Sequence, residues 1–106
     1  MEKPRIKVPS SARKGEVIEV KTLIKHPMES GQRKDAAGNL IPRKIINRFV
    51  VAANGKEILN AELFPATSAD PYLIFKVRVD ADTRFEATWH EDGGASVSES
   101  AEVKVG

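Results

Sequence analysis

The chain has 106 residues, with a hydrophobic share of 41%, a charged share of 30% and a formal net charge of +2. That is the length of one domain, able to bury a real core unaided, and its bases are too few and too interleaved with acids for a nucleic-acid binder. The absence of cysteine excludes disulfides, thiolate metal sites and cysteine-borne chemistry on this chain, and no apolar run approaches the ~20 residues of a membrane helix.

Taken in chain order, the first expected strand is Arg5 to Val8, fenced by Pro4 and Pro9. Glu16 to Ile24 alternates, with Ile18, Val20, Thr22 and Ile24 facing a core and Glu19 and Lys21 facing out. Lys44 to Ala53 carries Ile45, Ile46, Phe49, Val50 and Val51, apolar on both faces, the pattern of a central or covered strand. Asn54-Gly55 follows, a dipeptide suited to the positive φ angles of a type I′ hairpin turn. Leu59, Ala61 and Leu63 form the inward set of the next strand, and Pro65 to Pro71 is a turn-rich link. Leu73, Phe75, Val77 and Val79 alternate with Lys76 and Arg78. Phe85, Ala87 and Trp89 do the same against Glu86, Thr88 and His90. Asp92-Gly93-Gly94 turns the chain into a last strand holding Val97, Ala101, Val103 and Val105. No stretch holds a helical period. The expected architecture is all-β, an immunoglobulin-like β-sandwich of about seven antiparallel strands forming a single domain over 1–106.

Enzyme readings find no footing. Ser10, Ser11, Ser96, Ser98 and Ser100 fall at turns or on an outward face, outside any nucleophile-elbow pattern. His26 and His90 end different strands. Glu29, Asp35 or Glu91 could in principle join one of them on a metal, but no motif places them, and the plainer expectation is two surface or loop histidines. Glu86 and Glu91 share a strand but not a face, so they cannot act as an acid–base pair. Neither enzyme activity, cofactor nor metal is expected. Trp89 reads as core, and Tyr72 as an outward residue available for contact.

One segment stands apart. His26 to Lys44, HPMESGQRKDAAGNLIPRK, offers little to bury and far exceeds the roughly 4–6 residues of an ordinary connection. His26-Pro27 and Ile41-Pro42 stiffen its ends, and Gly38-Asn39 supplies a tip. It reads as a long loop or hairpin presented for recognition, with His26, Met28, Arg33, Lys34, Asp35, Asn39, Arg43 and Lys44 as partner-binding candidates. The alternative is a solvated hairpin without a partner.

HPMESGQRKDAAGNLIPRKIINRFV closely resembles the signature of the SoxZ family. The opening PRIKVPSSARKGEVIEVKTLIKHPME, the NGKEI hairpin and the PATSADPYLIFKV segment fit the same pattern, so the resemblance covers nearly the whole chain. It implies an immunoglobulin-like subunit that forms a heterodimer with a SoxY-like partner. That partner carries sulfur intermediates of bacterial thiosulfate oxidation on a cysteine near the end of a glycine-rich arm. The resemblance also implies transient contacts with the pathway's enzymes and work in the periplasm. The N-terminal MEKPRIKV has no apolar leader core, so export together with a signal-bearing partner is expected. The competing class is a free-standing sandwich that binds a ligand, or a metal through His26 and His90.

Overall fold

The computed structural model describes all residues 1–106. Eight strands form, with no helix: β1 (Arg5–Lys7), β2 (Ser11–Ala12), β3 (Glu16–Leu23), β4 (Ile46–Ala53), β5 (Lys56–Glu62), β6 (Tyr72–Val79), β7 (Thr83–Glu91) and β8 (Ser96–Val105). They make a three-stranded sheet, β1-β3-β6, facing a five-stranded sheet, β2-β8-β7-β4-β5. This is the immunoglobulin-like sandwich expected, with an extra strand on the larger sheet.

Alternation builds the core. Ile18, Val20, Thr22 and Ile24 are buried on the small sheet, and Phe85, Ala87 and Trp89 are buried on the large one. Thr22 is tolerated there because its hydroxyl donates to the Leu73 carbonyl at 2.8 Å, satisfying a group that would otherwise be costly to bury. Phe49 and Trp89 meet with ring centroids 5.0 Å apart at a 52° tilt. Asn54 and Gly55 take φ values of 49° and 81°, as a type I′ turn requires.

One feature differs from the sequence expectation, and two others gain detail that the sequence did not supply. Ser11–Ala12 adds an eighth strand, and it runs parallel to β8. Two residues carry no readable periodicity, so the pairing is invisible in sequence. The two-faced apolar pattern of Lys44 to Ala53 has a local cause. A register shift against β7 between Ile46 and Arg48 makes Asn47 an extra residue, so Ile46 and Phe49 both point inward with Val51. The opposite face of β4 pairs Val50 with Asn60 and Thr88, and is largely polar. Finally, the 26–44 segment is a long connection between β3 and β4 that folds back on itself like a hairpin. It is an open antiparallel lobe held by two isolated bridges, Glu29↔Lys44 and Lys34↔Leu40.

The molecule measures 59 × 19 × 19 Å with a radius of gyration of 16.2 Å, against about 13 Å for a compact chain of this length. Strands of up to ten residues reach only about 33 Å. The chain outside the sheets, the lobe above all, supplies the remaining length.

Candidate functional site

The base of the lobe is where the sequence candidates converge. The β3–β6 ladder runs on past its strands: Ile24 donates to the Pro71 carbonyl, and Asp70 N–H donates to the His26 carbonyl at 2.8 Å. In return, the Asp70 carboxylate accepts the His26 N–H at 2.8 Å. His26 is thereby fixed on the sandwich rather than exposed on a loop, and is only 4% accessible. This corrects the expectation of a surface histidine.

Both ring nitrogens are engaged. Nδ1 accepts the Met28 N–H at 2.9 Å, and Nε2 lies 2.5 Å from Glu91 Oε2. An atom that accepts a backbone N–H carries no proton of its own, so the proton sits on Nε2 and His26 is a neutral imidazole donating to Glu91. Glu91 closes the inward phase of β7 and is buried, with Lys44 Nζ 3.7 Å from its other oxygen. Met28 takes a positive φ of 50°, which bends the chain so that its thioether sulfur accepts the Ile46 N–H at 3.3 Å.

Asp92 is the second anchor. Its carboxylate accepts from Arg43 Nε at 2.8 Å, Arg43 Nη2 at 3.3 Å, Ile45 N–H at 3.2 Å and Asn47 Nδ2 at 3.0 Å. The Arg43 guanidinium first, then Asn47 and the Ile45 amide, hold its carboxyl well below the usual carboxylate range, and Arg43 is raised in turn. The contribution of such a depressed acid is whole above the unfolded value near 4 and is lost as pH falls below it toward the folded one. Between pH 5 and pH 2.5 the wild-type denaturant midpoint is therefore expected to fall further than that of an Asp92→Asn chain, which has no carboxylate there to protonate. Equal acid sensitivity in the two chains would refute the role.

Higher on the lobe, Arg33 Nη2 lies 2.6 Å from Glu29 Oε1. This hydrogen bond lowers Glu29 and raises Arg33. At the tip, Asp35 Oδ1 accepts the Ala37 and Asn39 N–H groups at 2.9 and 3.0 Å. Lys34, on the outer bridge, is exposed, as is Leu40 at 61%.

The candidates therefore divide. His26, Met28, Arg43 and Lys44 meet at the base, Arg33 braces the middle, and Lys34, Asp35 and Asn39 lie at the tip. The basic side chains that looked free in sequence are mostly struts, each with its own carboxylate. Glu29 and Glu91 read in sequence as possible metal ligands beside a histidine, and Asp92 as a turn residue, so their roles as anchors of the lobe were missed. The inward phase of Glu91, two residues after Trp89, was the one sequence signal that could have marked it. His90 takes the outward phase of β7 and so lies across the sheet from His26. No three His, Asp or Glu side chains are grouped to hold a metal. Beside the lobe base opens a groove of ≈ 910 Å³, lined by Lys25, Pro27, Ile41, Pro42 and Asp70 with His26 and Glu91.

A family model described as "SoxZ: Sulphur oxidation protein SoxZ" matches residues 6–102. No curated protein sequence matches the chain. Among solved structures, superoxide reductase (neelaredoxin) from Ignicoccus hospitalis superposes with a TM-score of 0.70 at 16% identity, over 99% of this chain and 81% of that one. The sulfur carrier protein SoxY from Chlorobium limicola f thiosulfatophilum superposes with a TM-score of 0.68 at 15% identity, over 97% of this chain and 78% of that one. At such identities these likenesses show a shared fold alone.

Proposed function

The chain belongs to the SoxZ family of sulfur oxidation proteins, and from that premise we propose that it is the non-catalytic subunit of a sulfur carrier. It pairs with a SoxY-like partner, stabilises it, and helps present the partner's cysteine-bearing arm to the enzymes of thiosulfate oxidation. The observation that carries this reading is the family match across 97 residues, counted from 6 to 102 inclusive. The lack of cysteine agrees with it, because covalent sulfur cargo must then ride on another chain. The working compartment in this reading is the periplasm, reached together with the partner.

The lobe is the surface assigned to the transient enzyme contacts. It projects beyond the sandwich, its base is braced by His26–Glu91 and Arg43–Asp92, and its tip leaves Lys34 and Leu40 uncovered. Rigid presentation of a few exposed groups lowers the entropy lost on docking. Co-expression with the SoxY-like subunit is expected to yield a one-to-one complex on gel filtration, and thiosulfate-dependent turnover in a reconstituted pathway should require both chains. A monomer with no affinity for that subunit, or full turnover without this chain, would reject the proposal.

A further inference from the structure

Two full strand edges are open, that of β5 on the large sheet and that of β6 on the small one. The parts of β8 and β3 that the short β2 and β1 leave unpaired carry Glu99 and Glu102, and Glu16 and Glu19, respectively. Exposed edges invite pairing with other chains, and proteins blunt them with charges, bulges or prolines. The β5 edge is blunted: a register shift leaves Ile58 unpaired, and Lys56, Glu57 and Glu62 charge the strand. The second half of β6 carries Lys76 and Arg78. Its first half, Tyr72-Leu73-Ile74-Phe75, has no charge, no proline and an unbroken register with β3. On the outer face of that half, Tyr72 is 54% and Ile74 48% exposed. Phe64, 61% exposed, lies in the link that leads into it. The edge then runs through Pro71 and Asp70 into the groove beside the lobe.

We propose that this edge of β6 docks the sandwich-folded partner, which adds a strand of its own along Tyr72–Val79 and seats apolar side chains on Tyr72 and Ile74. The inference rests on the family reading given above and adds the place of contact. Size supports it. Eight residues span about 27 Å, and with a 19 Å cross-section the flank projects about 500 Å². A rough protein surface offers more accessible area than its projection, and the groove mouth extends it further. That approaches the roughly 800 Å² per partner of a stable interface.

A second copy of this chain fits poorly. A two-fold pairing centred on the uncharged half would set Pro71, which has no N–H, opposite Lys76, and would limit the ladder to about four residues. A different chain can use the whole strand, with acidic side chains opposite Lys76 and Arg78 and main-chain bonds supplying affinity.

The test uses the chain with its SoxY-like subunit, comparing hydrogen exchange in the free chain and in the complex. A Tyr72→Glu/Ile74→Lys double variant is measured beside Val17→Lys, an exposed position opposite Arg78 on β3. Protection of the 72–76 amides in the complex is expected, with roughly 100-fold weaker binding by the double variant and wild-type binding by Val17→Lys. A complex that leaves those amides exchanging freely would overturn the assignment while leaving the family reading intact. So would full affinity in a folded double variant, or a homodimer built on this edge. Should the double variant fail to fold, wild-type exchange decides alone. Absence of any wild-type complex would instead reject the proposed function, and this inference with it.

Discussion

A Trp89→Ala chain is expected to lose about 3–5 kcal/mol of stability, the range for removing a large aromatic from a packed core. Trp89 is fully buried on the inward face of β7, opposite Phe49 on β4 and Val97 on β8. At about 4–8 °C per kcal/mol for a domain of this size, its thermal midpoint should drop by more than about 12 °C. The indole N–H has no hydrogen-bond partner among the protein's own groups, so Trp89 contributes to the protein's internal contacts by volume rather than by polarity. Trp89→Phe is accordingly expected to cost far less, because it removes an unpaired donor along with part of the ring. Denaturant curves for the two variants check this directly. A Phe variant as damaged as the Ala variant would show that the N–H matters after all.

Glu91→Ala carries the second large effect. It leaves the Nε2–H of His26 buried without an acceptor, a loss of about 1–3 kcal/mol, and frees Lys44 at the lobe base. Glu91→Gln separates hydrogen bond from charge. A glutamine oxygen can still accept from a neutral imidazole, and only the half-exposed Lys44 ion pair is lost, worth at most about 1 kcal/mol. The tautomer argued from Met28 thus predicts a mild Gln variant and a severe Ala variant. Hydrogen exchange at Met28 and Glu29 should rise sharply in the Ala chain and little in the Gln chain. Were both substitutions equally harmful, His26 would have to be an imidazolium whose partner is the carboxylate charge itself, and the Met28 N–H bond would be wrong.

The base of the lobe also explains how such a segment is held to the sandwich without a core of its own. Only His26 and Met28 are buried within it. Its order comes from hydrogen bonds that reach across the chain, from Arg43, Ile45 and Asn47 to Asp92 and from His26 to Glu91. Each replaces protein–water bonds by protein–protein ones at modest net gain, yet together they fix the direction in which the tip projects. Loosening them is expected to disturb presentation before it disturbs the sandwich.

Local pattern was sufficient for the sandwich. The period-two runs of Glu16 to Ile24 and Phe85 to Trp89, the Asn54-Gly55 turn and the apolar count determined an all-β fold and most of its core, because side chains on a strand alternate faces whatever they pair with. The 26–44 segment announced itself by length and composition. What the segment's residues touch was decided only in three dimensions. Asp92 reads as a turn residue until its loop comes beside Arg43, 49 positions away, and His26 reads as a surface group until Glu91, 65 positions away, meets it inside. The extra residue at Asn47 shows only as a break in apolar phase between Ile46 and Phe49, and the two-residue strand at Ser11–Ala12 leaves no periodic trace at all. Such contacts follow from which strands become neighbours, and alternation fixes the face a side chain takes without fixing its neighbour.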